Sequence, residues 1–364
     1  MPVNPIILMY SHIKGKAVLI PKSAKYIPIT LTNSQSSATP APFQQLISID
    51  PSTIGSSYFS SDLGNVRFYA DSAFTQPLYA WVESGNSNTS TSTNIWVNLP
   101  NGIPANSSIT IYMELLSVGT EYDGVYMGEA PQLSPTYGQY DNGASVFSLY
   151  FNGNTPLSNF NFEGNTGTQA SVTGPTGTTI NVISITGYAS NFGFVYTAKS
   201  LSNQPIIAES SSQQAGNQAG GTGADNGQVS IVSGTSTSCL NAISVDMGWA
   251  TSYFTNDYIV NGSQTTDVNR QGTANTNWHY ASVTYYGPSA TSWSGYIAPQ
   301  LYSTSGGYSG TVSNNPLSSS STLYLGLIGS VNSNDQWQTY INWMRARAYP
   351  PNGVMPTVSI GSIA

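Results

Sequence analysis

Across its 364 residues the chain carries few charges: nine Lys or Arg and sixteen Asp or Glu make up only 7% of the sequence, against about 25% in an ordinary globular domain. The net charge of −7 excludes nucleic-acid binding, because neutralisation of phosphates supplies most of that affinity. No run of about 18 apolar residues predicts a membrane span. With 39% hydrophobic residues, the chain is expected to fold.

The scarcity of carboxylates indicates an acidic, exposed habitat, or alternatively a fibre-forming or heavily glycosylated surface protein. Each Asp or Glu that must protonate in acid removes stability from a folded protein, so a chain with few of them has little to lose. The length of 364 residues favours two domains, each large enough to bury a core.

Residues 1–24 lie outside the regular strand pattern and contain a short apolar run. The run consists of Ile6, Ile7, Leu8, Met9 and Tyr10. Lysines follow it instead of preceding it, which disfavours a signal peptide and favours a product assembled inside the cell. We expect this segment either to insert as a donor strand into an edge groove of the next subunit, or to form the first strand of its own sandwich. The donor strand would build an open, head-to-tail filament.

Residues 25–128 alternate between apolar and polar side chains, as in SITIYMELL (108–116), NIWVNLP (94–100) and PLYAWVE (77–83). Period two with Gly, Pro and Asn turns predicts short β-strands. A connection over residues 129–143 is rich in Pro, Gly and Tyr, and a second, larger strand pattern follows over 144–364. The predicted fold class is therefore all-β: two consecutive β-sandwich, jelly-roll-like domains with an extra N-terminal strand segment.

The first part resembles a known domain of archaeal surface proteins. The segments that carry the resemblance are PITLTNSQSSATPAPFQQLISID (28–50), VRFYAD (66–71), LYAWVES (78–84), IWVNLPNGIPANSSITIYM (95–113) and PQLSPTYGQYDNG (131–143). This conserved domain of unknown function occurs in exported and virus-encoded proteins of hot-spring archaea. The resemblance implies an archaeal surface protein, viral or cellular.

The second part resembles a laminin-G-like or concanavalin A-like sandwich. The matching segments, in order, are NFEGN (161–165), NWHYASVTYYGPSATSWSGYI (277–297), LYLGLIGS (323–330) and the closing strand QTYINWMRARAYPPN (338–352). In that fold family the final strand often carries an aromatic residue followed by alternating basic residues. The resemblance thus implies structural positions for Trp343, Arg345 and Arg347.

Two of the four arginines lie two residues apart in the closing strand. Strand alternation predicts one face formed by Ile341, Trp343, Arg345, Arg347 and Tyr349. A structural interpretation, favoured here, has the arginines pair with a carboxylate or stack on Trp343 and Tyr349. Alternatively Trp343, Arg345, Arg347 and Tyr349 form an exposed face that binds sugars or a partner protein.

The acids of the second part are scattered, which disfavours a polysaccharide hydrolase. Such an enzyme needs two carboxylates about 5–9.5 Å apart, and no clustered Glu-x-Asp pattern is present. The acids in question are Glu163, Glu209, Asp225, Asp246, Asp257, Asp267 and Asp335. We assign no catalytic residue and no cofactor.

Metal and thiol chemistry have little support. His12 and His279 are the two histidines, and neither lies near a Ser or Cys nucleophile motif. We interpret His279 as a packed or surface imidazole and Cys239, the single cysteine, as a small buried residue. The resemblance to laminin-G-like sandwiches implies that a few loop oxygens could hold calcium, and the pairs considered are Glu121 with Asp123 and Asp225 with Asn226. These pairs are more often turn residues, so no metal ligand is assigned.

Three sequons, at Asn88, Asn106 and Asn261, permit glycosylation of an exposed protein. The function that these patterns predict is a structural, non-enzymatic fibre, filament or spike subunit of an archaeal virus or cell. Its partners would be copies of itself and cell-surface glycans or proteins, at a virion or cell surface. The alternative is a monomeric carbohydrate-binding adhesin that stacks sugars on exposed rings, with Trp81, Trp96, Trp249, Trp278 and Trp293 as candidates.

Overall fold

Strands dominate the architecture, as the alternation predicts, and the all-β fold class is confirmed. The computed structural model describes residues 25–187, 192–215, 224–236, 240–248, 253–272, 276–298, 301, 306–331 and 336–364. The assembly residues predicted at positions 6–10 lie outside the described residues.

The first sandwich contains eight strands from the first third of the chain. These are β1 (Lys25–Asn33), β2 (Phe43–Ile49), β3 (Val66–Tyr69), β4 (Pro77–Leu78), β5 (Ala80–Ser84), β6 (Thr93–Leu99), β7 (Ser107–Leu115) and β8 (Met127–Glu129). A short helix, α1 (Pro51–Gly55), is capped by Asp50, whose side chain accepts the backbone N–H of Thr53. The 3₁₀ turn Ser56–Tyr58 follows it.

Alternation of burial explains the strands of this sandwich. In β1, Ile27, Ile29 and Leu31 are fully buried while the residues between them are partly exposed. The two sheets have the strand orders β1-β7-β3-β4 and β2-β6-β5-β8. Their inward apolar residues form one core cluster, which is the packing expected of a β-sandwich.

The second sandwich is larger. It contains a short helix, α2 (Gly143–Val146), the 3₁₀ turns Leu157–Asn159 and Pro351–Gly353, and the strands β9 (Leu149–Asn152), β10 (Phe160–Glu163), β11 (Asn165–Thr173), β12 (Thr179–Gly187), β13 (Phe192–Thr197), β14 (Leu201–Ser202), β15 (Ile206–Gln214), β16 (Ala224–Ser233), β17 (Asn241–Gly248), β18 (Tyr253–Val260), β19 (Ser263–Gln271), β20 (Trp278–Tyr285), β21 (Trp293–Ile297), β22 (Tyr308–Val312), β23 (Thr322–Val331) and β24 (Trp337–Ala348).

Two sheets enclose the second core. One has the order β10-β13-β23-β16-β17-β18-β19, with β14 paired to β23, and the other has the order β11-β12-β24-β15-β20-β21-β22, with β9 paired to β24. Buried side chains of both sheets form one large apolar cluster. In the second sheet the closing strand β24 lies between β12 and β15, and its Arg345 faces away from the second core towards the first sandwich.

The last strand of the chain returns to the first sandwich. Strand β25 (Thr357–Ile360) pairs antiparallel with β1, with Ile29 opposite Ile360. The sequence pattern assigned all of residues 144–364 to the second sandwich, and the structure differs at this end. The C-terminal strand covers an edge of the first sheet that would otherwise expose unpaired backbone groups.

A neutral polar network lies inside the second sandwich. Ser210 and Ser212 of β15 are fully buried, as is Gln228 of β16. The hydroxyl of Ser212 donates to the side-chain Oε1 of Gln228 at 2.8 Å. The hydroxyl of Ser210 donates to the backbone carbonyl oxygen of Gln228 at 2.6 Å. Because each buried polar group has a partner, this interior network avoids most of the penalty for burying polar atoms.

Candidate functional site

Two tryptophans of the first sandwich point away from its core. Ala80 and Val82 of β5 lie in the core, whereas Trp81 between them belongs to a separate buried cluster that also contains Trp96 of β6. Alternate residues of a strand face opposite sides of a sheet, so both indoles face the second sandwich. Trp81 meets Trp343 of β24 edge-on at a centroid distance of 5.9 Å. This aromatic cluster joins the two sandwiches.

A β-bulge in β24 determines which residues reach the junction. Ser211 of β15 pairs with Trp343, and the next residue, Ser212, pairs with Ile341, which leaves Asn342 as an extra residue. Ile341 therefore packs in the second core while Trp343 faces the junction. The prediction that Ile341 shares a face with Trp343 is wrong, because one extra residue reverses the alternation.

The connection between the sandwiches holds this bulge in place. The side-chain amide of Asn342 donates to Oε1 of Gln132 at 3.0 Å and to the hydroxyl of Ser211 at 3.2 Å. The hydroxyl of Tyr137 donates to the carbonyl oxygen of Asn342 at 2.7 Å. Gln132 and Tyr137 of the 129–143 connection thus supply hydrogen-bond partners for the side-chain amide and the backbone carbonyl of the extra residue, Asn342.

Four charged residues form the centre of the junction. Nε of Arg345 lies 2.5 Å from Oε2 of Glu209, and its Nη2 lies 2.9 Å from Oε1 of Glu83 on β5. Nη2 of Arg347 lies 2.7 Å from Oε1 of Glu209. The hydroxyl of Tyr280 donates to the same oxygen at 2.6 Å. Arg345 therefore bridges the two sandwiches, because its two carboxylate partners come from different ones.

The guanidinium of Arg345 is also surrounded by aromatic rings. Its Cζ lies 4.6 Å from the centroid of Phe147, 4.7 Å from Trp343, 4.9 Å from Trp96 and 5.3 Å from Trp81. A guanidinium is weakly hydrated and interacts favourably with ring faces. These rings replace part of the solvation that burial removes from the charge.

The ion pairs stay charged over a wide pH range. Burial by itself raises the pKa of Glu209, but the charges of Arg345 and Arg347 outweigh it and hold the pKa at about 2. Burial lowers the pKa of Arg345, and the charges of Glu209 and Glu83 more than reverse this. Removing one partner would leave a buried charge uncompensated, which is strongly destabilising.

A second polar centre, at Asp141, ties the connection to both sandwiches. Nε1 of Trp81 donates to its Oδ1 at 2.8 Å, and the hydroxyl of Tyr150 and the amide of Asn152 donate to Oδ2 at 2.7 Å each. Burial raises the pKa of the Asp141 carboxyl, and these hydrogen bonds partly oppose that rise. The donors fix the indole of Trp81 in its outward orientation.

A cleft of about 340 Å³ opens beside the ion pairs, at the boundary of the two sandwiches. Its walls include Leu46, Asn94 and Trp96 of the first sandwich and Tyr280, Tyr296 and Arg347 of the second. The volume lies at the lower end of the range for small-molecule sites, about 300–1,000 Å³. These walls carry apolar, aromatic and hydrogen-bonding groups.

An adjoining cleft of about 390 Å³ lies further along the second sandwich. Leu301 lines both clefts. Trp278 lines the adjoining one, and its Nε1 donates to the carbonyl oxygen of Thr173 at 3.0 Å. Gln213 on the same wall donates to the carbonyl oxygen of Thr276 at 2.6 Å. The indole and amide orientations are thereby set by backbone partners.

The predicted ligand face separates into two places. Trp343 and Arg345 are fully buried in the junction, and Arg347, 9% exposed, lines the cleft. The half-buried ring of Tyr349 instead packs edge-on against Tyr286 at 5.4 Å. Arg345 pairs with carboxylates and stacks on Trp343, which are contacts of the structural interpretation.

The tryptophans considered as exposed sugar platforms are buried. Trp81 and Trp293 are 0% exposed, Trp96 is 3% and Trp278 is 7% exposed. Trp249 lies outside the described residues. Strand alternation does not tell which face of a strand is buried, and here Trp293 faces the second core whereas Trp81 and Trp96 face the junction.

The sequons occupy different environments. Asn106 and Asn261 lie in exposed turns with φ of 48° and 47°. Asn88 is half-buried, and its amide donates to the carbonyl oxygen of Ser56 at 3.4 Å.

Residues considered for metal binding are engaged within the chain. Asp123 pairs with Arg67 at 2.9 Å, and Glu121 accepts the hydroxyl of Tyr140 at 2.9 Å. Asn226 accepts the backbone N–H of Gln338 at 3.0 Å. Across the described ranges no three His, Cys, Asp or Glu side chains form a group that could hold a metal ion.

The remaining candidates are a histidine in the core and residues without a described position. His279 is fully buried, and burial lowers its pKa to about 4. His12 and Cys239 lie outside the described residues. In the part of the chain that is described, no helix is long and apolar enough to span a membrane.

Sequence reasoning did not identify Glu83, Tyr280 or Asp141 as site residues, and it placed Glu209 among scattered acids. Glu83 and Arg345 are separated by 262 positions, so no local pattern connects them. One signal was present, because Trp81 and Glu83 alternate with core residues of β5 and must face the other side of the sheet.

These features define an all-β protein in which two β-sandwiches are joined through a buried network of ion pairs. No family model matches the sequence. The chain is 57% identical over 329 residues to uncharacterized protein 562 of Sulfolobus islandicus rod-shaped virus 1. The match covers 90% of this chain and 58% of that protein, so the chain spans less than two thirds of its viral relative.

Similar solved structures include lectin-like sandwiches. The exoplasmic/lumenal domain of VIP36, in a Ca²⁺/Man3GlcNAc-bound form, is 10% identical with a TM-score of 0.37, covering 57% of this chain and 96% of that one. A peanut lectin with a bound 9mer peptide is 12% identical with a TM-score of 0.37, covering 58% and 97%. A carbohydrate esterase of the Shiga toxin-encoding bacteriophage phi24B is 13% identical with a TM-score of 0.36, covering 56% and 98%. Scores this low do not identify a shared site.

Proposed function

We propose that this protein is a non-enzymatic surface protein of an archaeal virus, whose two joined sandwiches form an adhesive unit that binds carbohydrate on a cell surface. The observation that carries the proposal is the cleft of about 340 Å³ at the junction of the sandwiches, whose walls include Trp96, Tyr280 and Tyr296. In a chain with only 7% charged residues, two of the arginines and two glutamates are used to join the sandwiches. The similarity to a rod-shaped-virus protein supports the viral setting.

The state of the carboxylates supports a non-enzymatic role. Glu209 is held ionised between two arginines and has a pKa of about 2, unsuited to general acid catalysis at moderate pH. Burial raises the pKa of Glu129 to about 7, a value that would suit a general acid. However, Glu129 is 1% exposed, accepts the amide of Asn86 at 3.0 Å and lines neither of the two clefts.

The surface location is testable on virus particles. Gold-labelled antibodies raised against residues 25–364 should decorate the outside of intact virions purified from infected archaeal cells. Labelling that appears only after the particles are disrupted, or only in uninfected-cell fractions, would overturn the surface assignment.

Assembly into a filament through the N-terminal segment is the second part of the proposal. The apolar run Ile6 to Tyr10 would add a strand to an edge of the next subunit, giving a head-to-tail polymer. Electron microscopy of the full chain beside a chain lacking residues 1–24 tests this. Filaments should form only with the segment present. Filaments in both samples would contradict donor-strand assembly, and isolated particles in both would leave the monomeric adhesin.

A further inference from the structure

We propose that the cleft at the junction binds a neutral saccharide, and that the adjoining cleft extends the site to a second sugar unit. This inference rests on the proposed carbohydrate-binding function and gives it a location and a ligand class.

Charge balance argues for a neutral ligand. Arg345 and Arg347 contribute two positive charges at the cleft, and Glu83 and Glu209 contribute two negative charges within direct contact of them. The net local charge is therefore zero, so neither an anionic nor a cationic ligand gains long-range attraction. Charge-neutral hydroxyl groups can still bond to ionised partners, which are strong donors and acceptors.

The walls combine apolar and aromatic surface in the manner of a sugar site. The partly exposed rings of Tyr280 and Tyr296 lie 6.2 Å apart at an angle of 57°. Leu46 and Met355, both partly exposed, complete the apolar wall. A sugar ring has one face of C–H groups that packs on such rings, while its hydroxyls point to the polar rim.

Hydrogen-bonding groups are available on the polar side. Nη1 of Arg347 is buried and has no hydrogen-bond partner among the described residues, although Nε and Nη2 are both used by Glu209. Asn94 on the opposite wall is oriented by Ser84 and Ser48, at 3.1 Å and 2.6 Å. Because Nη1 has almost no accessible surface, a ligand hydroxyl would reach it only after a shift of the Arg347 side chain, whereas the partly exposed amide of Asn94 faces the ligand directly.

The two clefts are arranged for a ligand longer than one ring. Tyr280 lines the junction cleft and Trp278, two residues earlier in β20, lines the adjoining one. Residues two apart in a strand lie about 7 Å apart on one side of the sheet. Leu301 borders both clefts, so one short oligosaccharide can contact both walls.

The experiment uses the full chain on an array of neutral, acidic and basic oligosaccharides, followed by titration of the strongest binder against variants. We expect neutral di- or trisaccharides to bind. Tyr296→Ala, which removes an aromatic wall, should weaken binding about tenfold or more, as loss of a central contact does. Tyr296→Phe keeps the ring and should bind within about threefold of the natural protein. Tyr126→Ala, at a tyrosine 38% exposed and outside both clefts, is the matched control and should bind normally.

Three outcomes would overturn the inference, and they separate it from the proposed function. If Tyr296→Ala and Tyr126→Ala bind equally well, the ligand sits elsewhere while carbohydrate binding stands. If acidic sugars bind in place of neutral ones, the argument from charge balance fails. If no saccharide of any class binds the natural protein, the proposed carbohydrate binding itself fails. Urea unfolding of Tyr296→Ala guards against misfolding, because weaker binding supports the inference only if that variant unfolds in the same cooperative transition as the natural protein.

Discussion

Strand β15 has two polar faces, and they carry different kinds of buried group. Ser210 and Ser212 point into the second sandwich and form a neutral network with Gln228. Glu209, on the opposite face, is equally buried but pairs with two arginines at the junction. Adjacent residues of one strand thus serve a neutral interior and a charged boundary.

The neutral network of β15 and its ion pairs contribute differently to the stability of the protein. A neutral hydrogen bond adds about 0.5–1.5 kcal/mol net and can be lost with modest consequences. Leaving a buried charge without its ion-pair partner costs about 3–5 kcal/mol, so the junction depends on the presence of all four charged residues. The charged network therefore makes the position of one sandwich depend on the other, which the neutral network does not.

The largest effect is expected from removing the bulge that places the charged face. Deletion of Asn342 restores uninterrupted alternation in β24, so either Trp343 and Arg345 leave the junction or Ile341 leaves the core. We expect destabilisation above about 4 kcal/mol, measured by urea unfolding. Asn342→Gly keeps the residue count and should be much milder. Equal stability of the deletion and the natural protein would show that the bulge does not set the register.

Breaking the charged network should come next. Glu209→Gln leaves Arg345 and Arg347 without their shared buried counterion, and we expect a loss of about 3–5 kcal/mol in unfolding free energy. Glu163→Gln, at a half-buried acid of the same sandwich, is the control and should change stability by less than about 0.5 kcal/mol. A loss no larger than that of the control would mean that the ion pairs contribute nothing at the junction.

The neutral network should respond less. Ser212→Ala removes the hydroxyl that donates to Oε1 of Gln228, leaving a buried acceptor unpaired, with an expected loss of about 1–3 kcal/mol. Urea unfolding again measures it. A loss larger than that of Glu209→Gln would show that the neutral network, and not the charged one, contributes more to the stability of the protein.

The two faces should also differ in their dependence on pH. The pKa of Glu209 is about 2 in the folded protein, against 4.5 for an ordinary exposed glutamate such as that of the unfolded chain. Because the pKa is depressed, its contribution is present above pH 4.5 and is lost as the pH falls towards 2. The stability difference between the natural protein and Glu209→Gln should shrink over that window, whereas the difference for Ser212→Ala should stay constant.

Glu129 should change the stability of the protein with pH in the opposite direction to Glu209. Burial raises its pKa from 4.5 to about 7, so its contribution is present below pH 4.5 and is lost as the pH rises through 7. Glu129→Gln should therefore flatten the stability profile between pH 4.5 and 7 and leave the acid limb unchanged. If Glu129→Gln instead flattened the profile below pH 4.5, the loss of stability in acid would be due to Glu129 and not to Glu209.

Local patterns in the sequence predicted the strands but not their long-range partners. The alternation in residues 108–116 indicated a strand, and β7 covers Ser107–Leu115. The burial of Trp81 and Trp96 could not be predicted, because it depends on a second sandwich packing over the outer face of the sheet. The return of the C-terminal strand to β1 and the extra residue at Asn342 leave no local signal, since each depends on pairing between distant segments.

The charged junction should make the two sandwiches unfold as one cooperative unit. Differential scanning calorimetry of the natural protein beside Glu209→Gln tests it directly. We expect one transition, with equal calorimetric and van't Hoff enthalpies, in the natural protein and two separated transitions in the variant. Two independent transitions in the natural protein, unchanged by the substitution, would contradict it.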